Sequence, residues 1–561
     1  MTTPKLYDVK KFSTIKEMLK MGADESGDKL AFKYLKGKEV ISVTYREFWD
    51  DTIFLGTALE TIGMSKSHVG CIGPNSYPWL CSYLTMLKSE GVFVPVDKEL
   101  PAQDIINVVN HSDMQAIFYD KSYEKIFKEN REQMPNVKYF IGFAREEDEG
   151  EFLSFKKFME KGKESYLSGN ENYAKETCDP EALKLLIYTS GTTGLSKGVE
   201  LTEHNLVYSV YCGLQVSRVY TTSLSVLPYH HTYEAVSGIL VSLHNRCCIC
   251  INSNLKAVVN NLKLFKPDFI YVVPAFAELF YKKIWATVKD GGKETGLKIL
   301  IKVSNALRKI GIDLRRKLFG AIHESFGGNL VKIVCGGAPL RSELGDFFDS
   351  IGISLINGYG ITECSPLVSA NREECNDCTT VGFVLPCLDV KIDDPDENGD
   401  GEIWVKGDVV MKGYYKMPEE TKEAFEDGWF KTGDYGRFNK KGLLMITGRK
   451  KNLIVLSNGK NIFPEEIEGY IQAIEYVKEV VVYAASDEKG DDKQLCAEVF
   501  LDQDAIEKIG IEDVSETLRN DITEATKELP TYKKIADIKI REEEFEKTTT
   551  NKIKRNKIKK D

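Results

Sequence analysis

Strands and helices alternate strictly over residues 69–119, and this alternation predicts an α/β fold with parallel sheets. Short apolar runs at 69–72, 92–96 and 116–119 are separated by helical patterns at 79–88 and 102–110. A chain of 561 residues also exceeds what one hydrophobic core supports, so two or more domains are expected. Beyond Thr380 short strands and Gly/Asp turns replace the alternation, and past Arg449 a new α+β pattern begins. The expectation is a large N-terminal domain of several subdomains over residues 1–449, with parallel sheets and a β-rich subdomain. A small α+β domain over residues 450–561 would follow.

Residues 32–43 alternate around a glycine and read as a hairpin leading into a helix at 45–62. Residues 120–180 are charged and glycine-bearing, which suggests a surface excursion. A helix from near His204, a strand at 224–227 and a helix at 233–243 come next. In the last of these Tyr233, Val236, Leu240 and Leu243 recur at core spacing. Between Lys282 and Lys317 eleven Lys and Arg face only Asp290, Glu294 and Asp313. Leu300, Val303, Leu307, Ile310 and Leu314 form one stripe there, with Lys298, Lys302 and Lys309 opposite. That pattern suits an anionic membrane surface, or a solvated helix packing its apolar face on its own domain.

Val331-K-I-V-C-G-G-A-P-L and Ser354-L-I-N-G-Y-G-I-T-E are strands that run into glycine turns, where ligands of open parallel sheets collect. Asp394, Asp396, Asn398 and Gly399 begin like an EF-hand loop. The twelfth position is Val405 rather than Glu, so a hairpin turn is the better reading. The last part reads as a helix at 464–474, strands at 480–484 and 495–501, and a helix at 514–528.

A net charge of −10 speaks against general nucleic-acid binding. The chain has no run of 18 apolar residues, its opening M-T-T-P-K-L-Y-D has no apolar signal core, and its thirteen cysteines are scattered. A cytoplasmic protein with free thiols is expected. Cys375 and Cys378 have zinc-knuckle spacing without a second pair, and Cys247, Cys248 and Cys250 lie in an apolar run. Free thiols explain both groups better than a metal does.

The strongest chemical signal follows the apolar run at 185–188. Thr189, Ser190, Gly191, Thr192, Thr193 and Gly194 are all small hydroxyl residues or glycines, and Lys197 follows at once. Such a loop offers backbone N–H groups, hydroxyl donors and a point charge to an anion. It is not a Walker A loop, because Ser196 precedes the lysine and Gly198 follows it.

Seven motifs then occur in order: Y-T-S-G-T-T-G-L-S-K-G-V, L-P-Y-H-H-T-Y-E, G-G-A-P-L, N-G-Y-G-I-T-E, K-T-G-D-Y-G, G-R-K-K-N and T-T-T-N-K-I-K-R. With them the chain resembles the adenylate-forming (AMP-binding) superfamily from about Gly91 to Lys552, and most closely bacterial long-chain fatty-acid–CoA ligases. The resemblance implies two half-steps. A carboxylate first attacks the α-phosphorus of ATP and expels pyrophosphate, and the thiol of coenzyme A then takes the acyl group. It implies that the loop from Thr189 to Gly194 cradles the β- and γ-phosphates with Lys197, and that Glu363 with the Thr189 hydroxyl holds Mg²⁺. Thr362 would contact the α-phosphate. Tyr359 would stack on adenine against a wall of Gly336, Gly337 and Ala338, with Asn357, Gly358 and Gly360 in the same nucleotide-binding turn.

Asp434 would accept from the ribose hydroxyls and Arg449 would clamp the sugar. Lys552 would neutralise charge at the α-phosphate during adenylation. Here Asn551 stands before it, where the family more often has glycine. Lys451 falls at the family's hinge, about which the small domain rotates between half-steps, and Gly459 would line the pantetheine path. His231 would lie near the carboxylate, with His230 the alternative, and Glu234 would fix loop geometry. The implied substrate is a medium- to long-chain fatty acid. Loading of an acyl carrier protein is the nearby alternative, and a non-catalytic acyl- or nucleotide-binding module is the remaining one.

Overall fold

The computed structural model describes residues 5–189, 196–456, 461–486, 493–547 and 553–558. They form two compact units, one of Met1–Asp389 with Val405–Phe430, the other of Val390–Trp404 with Lys431–Asp561.

The predicted alternation builds the first unit. His68–Ile72, Val92–Val96 and Ala116–Tyr119 pair in parallel, with Val69 opposite both Phe93 and Ala116. Every residue of Val92–Val96 and Ala116–Tyr119 is buried, as strands covered on both faces require. Each large apolar side chain hidden this way contributes about 1.5–3 kcal/mol. Leu183–Thr189 joins Val92–Val96 in parallel, and Lys197–Thr202 and then Gly413–Tyr414 add antiparallel strands at that edge. In the second sheet Leu30–Lys36, Cys248–Ile251, Thr222–Ser225, Phe269–Val272, Lys332–Cys335 and Ser354–Gly360 run parallel in that spatial order. The predicted hairpin closes one edge with Glu39–Thr44, and Leu367–Ala370 and then Phe383–Val384 are added antiparallel at the other.

Three expectations are corrected here. Residues 120–180 are no surface excursion, because Tyr139–Gly142 and Phe152–Ser154 extend the first parallel sheet and helix Phe155–Leu167 packs on helix Tyr45–Thr61. These strands are only four and three residues long, too short to stand out among charged neighbours, yet Phe140 and Ile141 are fully buried.

Residues 233–243 are not one α-helix with a single stripe. Tyr233–Leu240 is a π-helix with seven buried residues, followed by the short α-helix Val241–His244. A Cβ at Gly238 would lie 2.8 Å from the Glu234 carboxyl carbon, so this glycine makes room for Glu234.

The basic segment divides into helices Pro274–Asp290, Glu294–Lys309 and Arg315–Leu318, and its expected stripe splits. Leu297 and Ser304 are buried and Leu300 and Leu307 half-buried, whereas Ile299, Val303 and Ile310 are 56%, 47% and 70% exposed. Among the described residues no helix is long and apolar enough to cross a membrane.

In the second unit Asp396 Oδ1 accepts from the amides of Asn398 (2.8 Å) and Asp400 (3.0 Å), the hairpin turn read from the sequence. Strands Val477–Ser486, Lys493–Leu501 and Asp537–Arg541 form a small sheet. Helices Pro464–Gln472 and Val514–Ala525 bring Ile467, Ile471, Leu518 and Ile522 into one core with Val482, Leu495 and Val499 of the sheet. All thirteen cysteines are free thiols.

Candidate active site

The expected phosphate loop joins two paired strands. Leu183–Thr189 and Lys197–Thr202 run antiparallel, with Thr189 opposite Lys197, and the Thr189 hydroxyl donates to the Lys197 carbonyl at 3.5 Å. Ser190, Gly191, Thr192, Thr193 and Gly194 lie outside the described residues. On the far side of Lys197–Thr202, Tyr414 pairs with Val199, and its ring lies 4.8 Å below the Lys197 ammonium.

Glu363 reaches the same tyrosine from the other sheet. Strand Ser354–Gly360 ends in the 3₁₀ turn Thr362–Cys364, pinned by an amide bond from Ser365 to the Thr362 carbonyl and from Met411 to the Glu363 carbonyl (2.8 Å). The Tyr414 hydroxyl donates to Glu363 Oε1 at 3.0 Å. Burial, and then the Glu363 charge, push ionisation of that hydroxyl far above its ordinary range, so it stays a donor. Lys197 and Glu363 thus meet around one ring, with Thr189 opposite Lys197 on the neighbouring strand and Thr362 beside Glu363 in the chain.

These donors fit a magnesium ion. The Glu363 carboxylate and Thr189 hydroxyl are hard oxygens, and Mg²⁺ is usually held by one or two carboxylates completed by phosphate oxygens and water. No cluster of three His, Cys, Asp or Glu able to hold a metal stands among the described residues, so phosphate and water oxygens would have to complete the shell.

The glycine wall expected to face adenine follows from strand register. Cys335 is opposite Asn357, so Gly336 falls beside Gly358, and a Cβ at Gly336 would lie 3.2 Å from the Gly358 carbonyl oxygen. Gly337 and Ala338 continue from that strand end, and the Tyr233 hydroxyl donates to the Val334 carbonyl (3.1 Å) just before it. Tyr359 is buried and opposite Ser369, with Gly360 leading on to Thr362. The Asn357 side-chain amide donates to the Thr380 carbonyl (3.0 Å) and its main-chain carbonyl accepts from the Asn371 main-chain amide (2.9 Å), so side chain and backbone together brace the turn.

His230 and His231 differ in their surroundings. His230 is buried, with Nε2 3.3 Å from Asp97 Oδ1, and burial followed by the charges of His231 and Lys98 holds its ionisation well below the usual histidine range. His231 is half-buried, and its carbonyl accepts from the amides of Glu234 (3.1 Å) and Ala235 (2.9 Å). Glu234 accepts from Ser225 Oγ at 2.5 Å, and burial raises its carboxyl to about 8.

Within the second unit Asp434 and Arg449 are cross-strand partners, and Arg449 Nε lies 3.0 Å from Asp434 Oδ1. The Asp434 side chain is 3% exposed and that of Arg449 45%. Lys450 pairs with Glu402 at 2.7 Å. Burial, then the neighbouring Arg449, lower the ionisation of Lys451. Lys552 and Gly459 lie outside the described residues. Just beyond Lys552, Ile553 bridges to Lys547, Lys554 donates to the Glu546 carbonyl (2.8 Å), and Arg555 pairs with Glu468.

Sequence reasoning missed Tyr414. The available signal was G-Y-Y-K-M-P-E-E-T: Pro418 opens helix Pro418–Ala424, whose Thr421 hydroxyl accepts from the Tyr414 amide at 2.9 Å.

Residues 19–415 match the AMP-binding enzyme family, and residues 451–561 match the AMP-binding enzyme C-terminal domain. Long-chain-fatty-acid–CoA ligase 5 of Rattus norvegicus is 29% identical over 86% of this chain and 75% of its own length. The chloroplastic long-chain-fatty-acid–[acyl-carrier-protein] ligase AEE15 of Arabidopsis thaliana is 25% identical over 91% and 79%. The crystal structure of the anthranilate CoA ligase AuaEII in complex with anthranoyl-AMP shares the fold, with a TM-score of 0.77 at 17% identity over 99% of this chain and 97% of that one. The chain belongs to the AMP-binding enzyme family.

Proposed function

We propose that this enzyme is an AMP-forming acid–thiol ligase that converts a medium- to long-chain fatty acid, ATP and coenzyme A to acyl-CoA, AMP and pyrophosphate. The observation that carries the reading is the meeting of Lys197 and Glu363 around Tyr414 at the ends of the phosphate-loop strands. In the first half-step a carboxylate oxygen bonds to the α-phosphorus as the bond to the β-phosphate oxygen breaks. In the second, the thiol sulfur bonds to the acyl carbon, AMP leaves and the thiol proton passes to solvent. Such displacements depend on positioning and charge neutralisation.

Lys197 and the loop residues bind the β- and γ-phosphates, and Thr362 orients the α-phosphate. Tyr359 and the Gly336–Gly358 wall hold the base, and Asp434 and Arg449 take the ribose. Glu363 and Thr189 hold Mg²⁺, which when bound neutralises phosphate charge. His231 faces the fatty carboxylate, because buried His230 is turned to Asp97. Lys552 supplies positive charge for adenylation from a mobile domain of residues 450–561, in which Gly459 lines the path of the thiol. The name of the rat relative supports CoA as acceptor, and that of the plant relative supports a carrier protein as the second reading.

The test is ATP–pyrophosphate exchange driven by fatty acids of increasing length, with product analysis in the presence of CoA or carrier protein. Lys552→Ala should abolish exchange yet still form thioester from supplied acyl-adenylate. Normal exchange by the variant would refute the assignment.

We further propose peripheral contact with an anionic bilayer through helix Glu294–Lys309. Ile299 and Val303 share its outer face, exposed Ile310 follows its last turn, and Lys298, Lys302 and Lys309 flank them, the pattern of an interfacial helix. The protein should sediment with anionic and not with neutral vesicles, and Ile299→Asn with Val303→Asn should release it. Equal binding of the double variant would refute the contact, and concentration-dependent dimerisation without vesicle binding would assign the face to a second copy.

A further inference from the structure

Two opposite charges that the proposed reaction requires are both carried on one neutral side chain. We infer that Tyr414 is a positioning residue for metal-bound nucleotide, its hydroxyl orienting the Glu363 carboxylate and its ring seating the Lys197 ammonium. The inference rests on the proposed nucleotide reading and goes beyond it by adding a residue with no assigned role.

The two contacts are of different kinds. A hydroxyl donating to a carboxylate makes a charge-assisted bond that fixes the carboxylate's rotation, here at 3.0 Å. The face of an aromatic ring attracts a cation within about 6 Å, and Lys197 Nζ lies 4.8 Å from the ring centre. A phenylalanine keeps the second contact and loses the first, and a leucine loses both. Groups that hold a ligating side chain in orientation commonly change metal affinity about 10- to 100-fold when removed.

The mounting of Tyr414 is rigid. Its amide donates to Thr421 Oγ1 at 2.9 Å, and a Cβ on the preceding Gly413 would lie 2.9 Å from the Thr421 methyl. On the other side, the Tyr415 amide donates to the Gly198 carbonyl (2.8 Å) and its hydroxyl to Asp113 Oδ2 (2.7 Å), while Lys416 pairs with Asp113 at 2.6 Å. Tyr414 is therefore held on both flanks, and its ring points at the phosphate-loop lysine.

The experiment is calorimetric binding of ATP to the full-length protein, with Mg²⁺ and with EDTA, alongside thermal melting. Tyr414→Phe should weaken binding of ATP with Mg²⁺ about tenfold and leave binding in EDTA and the melting temperature unchanged. Tyr414→Leu should weaken both. Tyr415→Phe, which loses only the bond to Asp113, should lower the melting temperature and leave both affinities alone. Wild-type affinity in Tyr414→Phe, or an equal loss with and without Mg²⁺, would overturn the inference while leaving the nucleotide reading intact. A wild-type protein that binds no ATP in either condition would overturn both.

Discussion

In the first unit Lys197 and Glu363 meet through an uncharged ring, whereas in the second Asp434 and Arg449 meet directly across two strands. The first arrangement ties both charges to one neutral side chain. The second satisfies a carboxylate whose side chain is only 3% exposed with a guanidinium that is 45% exposed. Removing a charge in the first unit should therefore be felt mainly in chemistry. In the second unit it should be felt in stability as well as in ribose binding, and unequally for the two partners.

The largest effect is expected in the first unit. Glu363→Gln should lower pyrophosphate exchange about 100-fold or more, while its melting temperature stays at the wild-type value. A parallel loss of stability would break the contrast. In the second unit, Arg449→Ala leaves a buried carboxylate without that cation and should cost about 3 kcal/mol in urea unfolding. Asp434→Asn returns a half-exposed guanidinium to water and should cost about 1 kcal/mol. The reverse order would show that burial is not what distinguishes the partners.

A pH-dependent effect sharpens the same point at a buried carboxyl held by Ser225. Glu234 stays protonated in the folded protein up to about pH 8, but in the unfolded chain it ionises near its ordinary 4.5. Between those values the native state binds the extra proton, so stability falls as pH rises, by up to about 1.4 kcal/mol per pH unit, and levels off above. Glu234→Gln should flatten that slope in denaturation curves taken from pH 5 to 8. An unchanged slope would mean that Glu234 is ionised inside the fold.

How much was legible depended on whether a signal was local. Strands Val92–Val96 and Ala116–Tyr119 were found to the residue because doubly covered strands are unbroken apolar runs. Tyr139–Gly142 and Phe152–Ser154 were lost because three or four residues carry no period. The π-helix was read as α because its composition is that of any buried helix. In Glu294–Lys309 apolar residues occupy both faces, and spacing alone does not tell the inward leucines from the outward Ile299 and Val303. At the site, the glycine and hydroxyl motifs marked the loop and the strand ends. Tyr414 stayed hidden because its partner Glu363 is 51 residues away in the chain. Only the pairing of Gly413–Tyr414 with Lys197–Thr202 brings this tyrosine to the phosphate loop.

The wide turn over Tyr233–Leu240 makes chain length itself adjustable at this wall of the fold. A π turn is an α turn that has taken in one extra residue, so deleting one residue would let the segment rewind as an ordinary helix while its flanks keep their directions. The Tyr233 hydroxyl stands at the start of that turn, on the Val334 carbonyl next to Gly336. Loss of a single codon, which no point substitution imitates, is therefore a change this wall of the fold can absorb.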